Sequence, residues 1–70
     1  MNRVRVHSSN IRSVGHEPLS GVLEVEFCNG SIYQYSHVPE DVFLQLLNAS
    51  SKGGFLAQRI KDHYSFRKVR

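Results

Sequence analysis

Four histidines, one cysteine, two carboxylates two residues apart and a Ser-Ser-Lys-Gly-Gly loop are the groups in this 70-residue sequence from which chemistry could be built. His7, His16, His37 and His63 lack the short paired spacings of zinc sites, and Cys28 alone is too little thiolate for a structural one. No metal and no cofactor is therefore expected. A Cys28–His dyad fails on distance. Cys28 flanks the Asn29-Gly30 turn, whereas His37, and His16 through the other turn, fall at the opposite ends of the strands. Six residues of ~3.3 Å each put about 20 Å between them. Only His7 can approach the thiol, and a cysteine with one histidine is no mechanism. Cys28 is read as a turn-flanking residue and the histidines as surface groups.

Glu24 and Glu26 share one side of a strand, the neighbourhood that paired acid–base work needs. A solvated strand face has the same pattern, and the sequence names no partner that would perturb either carboxylate. Ser50-Ser51-Lys52-Gly53-Gly54 feeds a helix start and can offer backbone N–H groups and a lysine to a single phosphate. It lacks the spacing of a nucleotide-hydrolysing loop, and its simpler reading is a helix–helix connector. No catalytic set survives, and the chain is read as a non-enzyme.

The elements around these groups are short. Ile11 to Glu17 reads as a strand in which Gly15 marks a bulge or a close backbone approach, and Pro18-Leu19-Ser20-Gly21 ends it. Val22 to Phe27 alternates, with Leu23, Val25 and Phe27 opposite Glu24 and Glu26, as a sheet with one wet face requires. Asn29-Gly30 reverses the chain into a third strand carrying Tyr33 and Tyr35. Pro39 opens a helix with Glu40 and Asp41 in its first turn and Val42, Phe43, Leu46 and Leu47 as its apolar stripe. A second helix, about 54–63 and capped by Ser50 or Ser51, buries Phe55, Leu56, Ile60 and Tyr64. The tail from Tyr64 to Val69 alternates weakly. The fold class is α+β: a three-stranded antiparallel meander followed by two helices packed on one face, with a short C-terminal edge strand as an option. Residues 1–70 form one domain, with 1–7 expected to be flexible.

One residue of loop length decides where the tyrosines point. A two-residue Asn29-Gly30 loop places Tyr33 and Tyr35 outside with the glutamates. A three-residue loop with Gly30 as its bulge residue pairs 25 with 33 and 23 with 35, which puts both rings on the core face and leaves Ile32 exposed. The second register is preferred because it sets two large aromatics under the helix at 40–49. A stacking platform for nucleic-acid bases is the functional alternative to a pair of core tyrosines.

Apolar residues make up 40% of the chain and aromatics 10%, enough for one thin core in a folded domain. The formal charge of +3 is mild but asymmetric, with Arg59, Lys61, Arg67, Lys68 and Arg70 near the end against a single acid, Asp62. One cysteine fits a reducing compartment. No secretory leader and no apolar run of membrane-spanning length is present, so a cytoplasmic location without membrane association is expected.

Ser8-Ser9-Asn10-Ile11, Val14-Gly15, Leu23-x-Val25-x-Phe27, Asn29-Gly30, Tyr33-x-Tyr35, Val38-Pro39, Ala49-Ser50-Ser51-Lys52-Gly53 and Ile60-x-x-x-Tyr64 together resemble the KTSC domain over residues 8–69. That domain occurs at the C-terminus of some lysyl-tRNA synthetases and as a free-standing bacterial protein. The resemblance implies no catalytic residues, and its association with synthetases suggests RNA. The family's motif residues fall here on Tyr33, Tyr35, Ser51, Lys52 and Gly53. The chain departs from the pattern at His16, where the family often has an aromatic, and at Leu56 and Ala57, where it usually has an aromatic and an asparagine.

Two functional readings follow. The first is a nucleic-acid-binding domain, with RNA as partner and Lys52, Arg59, Lys61, Arg67, Lys68 and Arg70 as candidate phosphate contacts on one basic surface. The second is a protein–protein interaction module, an accessory or prophage-type small protein, using another protein as partner.

Overall fold

The computed structural model describes residues 2–70. Five strands, β1 (Val4–Arg5), β2 (Ile11–Glu17), β3 (Val22–Phe27), β4 (Ile32–Tyr35) and β5 (Phe66–Lys68), form one antiparallel sheet in sequence order. Between β4 and β5 lie α1 (Glu40–Asn48) and α2 (Lys52–Phe55), the latter continuing without a break into a wider turn over Leu56–Ile60. There the Lys61 amide bonds the Leu56 carbonyl, five residues back. Both helical segments contribute to one core with the sheet.

The turn chemistry sets the register. Gly30 sits at φ +92°, and the Phe27 amide bonds the Ser31 carbonyl at 2.8 Å, closing a three-residue loop over residues 28–30. Val25 then pairs with Tyr33 and Leu23 with Tyr35, so the tyrosines lie on the core side as the three-residue loop requires. On β2 a shift in pairing between Ile11 and Ser13 lets Ile11 and Val14, three apart in sequence, both enter the core. Leu46 of α1 and Leu56 and Ile60 of the second helix complete it. Ser51 caps the second helix, its Oγ accepting from the Gly54 amide at 3.2 Å.

Four expectations need correction. The sheet has a further strand at its start: β1 pairs Val4 with Val14 and Arg5 with Ser13. Two paired residues leave too short a pattern to read. Ile32, expected exposed, is only 6% accessible, because residues 69 and 70 fold back to bond its backbone N–H and carbonyl. Of the two tyrosines expected under the helix at 40–49, Tyr35 is buried in one cluster with Leu46 of α1 and with Leu56 and Ile60, whereas Tyr33 is only partly buried and borders a cleft lined by Leu56 and Ala57. His16 is not a surface histidine. It alternates with Val14 on the core side, stacks on Phe43 of α1 with ring centroids 5.2 Å apart, and bonds the Val38 carbonyl through Nε2 at 2.7 Å. At that distance from a carbonyl, Nε2 is the protonated nitrogen, and the buried Nδ1 has no partner.

Candidate nucleic-acid interface

The face of the sheet away from the helices is an ion-pair network. Arg3, brought in by β1, donates through Nη1 to Glu24 and through Nε to the Ser13 hydroxyl at 3.0 Å, and its Nη2 lies 3.8 Å from Glu26. Gln34 donates to the other Glu24 oxygen at 2.8 Å, and Ser13 to Glu26 at 2.8 Å. Glu24 is only 9% accessible. Burial pushes its carboxyl up, but the hydrogen bonds from Gln34 and Arg3 and the charge of Arg3 outweigh it and hold the group below its ordinary value. A carboxylate held toward the charged form by Gln34 and Arg3 is a structural anchor for the sheet. The two glutamates are therefore tied to Arg3 rather than solvated without partners. Gly15 shows why the lead segment can lie so close: a Cβ there would stand 2.5 Å from the Asn2 carbonyl oxygen.

Cys28 is exposed beside its turn. Among the described residues no group of three or more His, Cys, Asp or Glu side chains gathers in a metal-binding arrangement, and no helix is long and apolar enough to cross a membrane.

The 50–54 loop faces Ser8-Ser9-Asn10 across a shallow polar depression. Gly53 is where the two motifs touch, since a Cβ on it would meet the Asn10 amide oxygen at 2.5 Å. Lys52 turns inward here and donates from Nζ to the Ala49 carbonyl at 3.0 Å, closing the end of α1. Its ammonium is already engaged.

The second helix, through Gly53, Leu56 and Ala57, borders a cleft of about 400 Å³. Its floor is aromatic: Phe27 meets Tyr33 edge-on at 5.6 Å, and Phe66 of β5 lies 5.7 Å from both Tyr33 and Tyr35. Tyr35 is buried at 4% accessibility, whereas Phe66 is 53% exposed. Burial, followed by the neighbouring Tyr33, raises the Tyr35 hydroxyl above its ordinary value. Lys61 stands on the cleft wall.

The six basic residues do not form one surface. Lys68 pairs with Tyr33 and so shares the helix side, while Arg67 pairs with Gln34 and points to the glutamate side, where Nη2 reaches Gln34 Oε1 at 3.4 Å. Alternation along β5 forces that division. Arg59 is exposed with its guanidinium 5.7 Å from the Phe55 ring centroid, and Arg70 ends the chain beside Ile32. On the helix side lie Lys61, in the cleft wall, and Lys68, opposite Tyr33, while Arg59 flanks buried Ile60 from the other side of the helix. The charge count missed Phe66 and Asn10, although Phe66 was visible as the residue two before Lys68 in an alternating tail.

The KTSC domain family model matches residues 7–64. The chain belongs to the KTSC domain family. A crystallised KTSC domain protein from Yersinia pestis superposes with a TM-score of 0.92 at 38% identity, covering 99% of this chain and 97% of that one. An uncharacterized protein of Stutzerimonas stutzeri (strain A1501) is 41% identical over 70 residues and 99% of each chain. A lysine–tRNA ligase of Nostoc sp. is 35% identical over 66 residues, which are 94% of this chain and only 12% of the ligase. The KTSC unit thus occurs both nearly alone and as a small part of a much larger protein.

Proposed function

We propose that this KTSC domain is a small RNA-binding module that holds the phosphate backbone of a strand through Arg59, Lys61 and Lys68. The observation that carries the reading is that two separate elements each bring a cation to the side of the sheet that bears the aromatic cleft, Lys61 on the cleft wall and Lys68 beside Tyr33, with Arg59 exposed on the same helical segment as Lys61. Lys52 and Arg67 are bound into other contacts and drop out of the set. The relatedness to a segment of lysine–tRNA ligases, enzymes whose name places them on RNA, supports the same reading. Three phosphate contacts give a log–log salt slope of about −2 for a single strand, so affinity for a short RNA falls about 20-fold between 50 and 200 mM salt.

Fluorescence anisotropy with a labelled single-stranded RNA tests this. The triple variant Arg59→Gln, Lys61→Gln, Lys68→Gln should flatten the salt slope and keep the melting temperature, because exposed charges contribute little stability. Arg67→Gln should bind as the parent does. Binding equal in the triple variant and the parent would remove the reading.

A second reading has its own observation. Both edge strands are open, with Val4 and Phe66 each 53% exposed and Val69 49% exposed, and an open edge can add a strand from another protein.

A further inference from the structure

The cleft between the second helix and β4–β5 has features that phosphate binding does not use. Its volume, about 400 Å³, falls in the range of small-ligand sites. Tyr33 is braced edge-on by Phe27, their planes at 89°, so its ring is held in place before anything binds. Phe66 is tilted by 44° to Tyr33 and 41° to Tyr35, which leaves the aromatic faces splayed rather than closed on one another. Phe66 is also half exposed although it sits over two tyrosines. Asn10 and Asn29 also line it; their Oδ1 atoms accept from the Ser8 hydroxyl at 3.2 Å and the Ser31 amide at 2.9 Å, which leaves their NH2 groups as donors toward the edge of a base, and Lys61 is the one charged residue of the lining. No acid lines it.

We infer that this cleft takes an unstacked base of single-stranded RNA, the base lying against Phe66 and Tyr33 with the adjoining phosphate on Lys61. The inference rests on the RNA-binding reading above and adds to it the part of the nucleotide that the domain grips. A planar aromatic group followed by an anion matches aromatic faces, amides and one cation.

The test compares two strands of equal length and charge, a uridine- or adenosine-bearing RNA and an abasic strand, against the parent protein, Phe66→Ala and Phe66→Leu. Phe66→Leu keeps apolar bulk without a π face, and the exposure of the residue leaves both variants able to fold, which circular dichroism verifies. Stacking on an aromatic predicts that the parent prefers the base-bearing strand by about tenfold or more. Both variants should lose that preference and retain the salt-dependent binding of the abasic strand. Equal affinity of the parent for the two strands, or an unchanged preference in Phe66→Ala, overturns the cleft assignment and leaves the phosphate reading standing. No binding of either strand at low salt overturns the phosphate reading itself and the cleft assignment with it. Phe66 ring resonances that shift with protein concentration instead of added strand would show a second copy of the chain in the cleft and also overturn the assignment.

Discussion

Arg3 is the residue whose removal the structure makes most informative. It approaches Glu24 and Glu26 on the far side of the sheet and is itself 27% exposed, against 11% for the Glu24 side chain. Hydrogen bonds to charged groups contribute about 1.5–3 kcal/mol each. Arg3 makes one to the Glu24 carboxylate and a weaker one to the uncharged Ser13 hydroxyl, and its partial exposure roughly halves the electrostatic part. Arg3→Ala should therefore cost about 2 kcal/mol. A 70-residue domain has a total stability of about 4–10 kcal/mol, so this is a large share. With a urea dependence of about 1 kcal/mol per molar, the midpoint should fall by about 2 M. A double-mutant cycle with Glu24→Gln should return a coupling of about 1 kcal/mol or more. Because the Glu24 carboxyl is held below its ordinary value of 4.5, its contribution is complete above that value and is lost as pH falls through the folded-state value. Parent stability should accordingly decline below about pH 4.5, and less steeply in Glu24→Gln. A midpoint shift under about 0.5 M for Arg3→Ala, with an unchanged acid limb, would show that the lead segment does not anchor the sheet.

Two further outcomes follow from the packing. Gly15→Ala pushes a methyl into the Asn2 carbonyl oxygen at 2.5 Å and should displace the segment that carries Arg3; combining it with Arg3→Ala in urea denaturation should cost clearly less than the sum of the two. Tyr35→Ala removes a buried ring from the centre of the core and should cost about 3–5 kcal/mol, whereas Tyr35→Phe should stay within about 1 kcal/mol, both read from thermal melts.

The sequence was legible where local chemistry decides the outcome. Asn29-Gly30 allowed two loop lengths, and the gain from burying Tyr33 and Tyr35 selected the three-residue loop and with it the pairing of β3 with β4. The apolar stripe from Val42 to Leu47 and the Ser51 cap were equally local. What escaped was non-local. β1 is held by a guanidinium reaching carboxylates 21 and 23 positions away, which no periodicity records. Ile32 is covered by residues 69 and 70, again a long-range pairing. His16 was within reach of the pattern, since it lies two residues from core-facing Val14, but its identity as a histidine suggested the surface. The division of the basic cluster was also implied by the alternating tail, because neighbouring Arg67 and Lys68 in a strand cannot share a face.

The central claim, that RNA is held on the helix side by cations beside an aromatic cleft, is tested most directly by amide and aromatic NMR shifts during titration with a short single-stranded RNA at low salt. The account predicts fast-exchange shifts concentrated on Arg59, Lys61, Phe66, Lys68 and Tyr33, and reversed by added salt. Shifts concentrated on Arg3 and Arg67 of the glutamate face, or none at all, would contradict it.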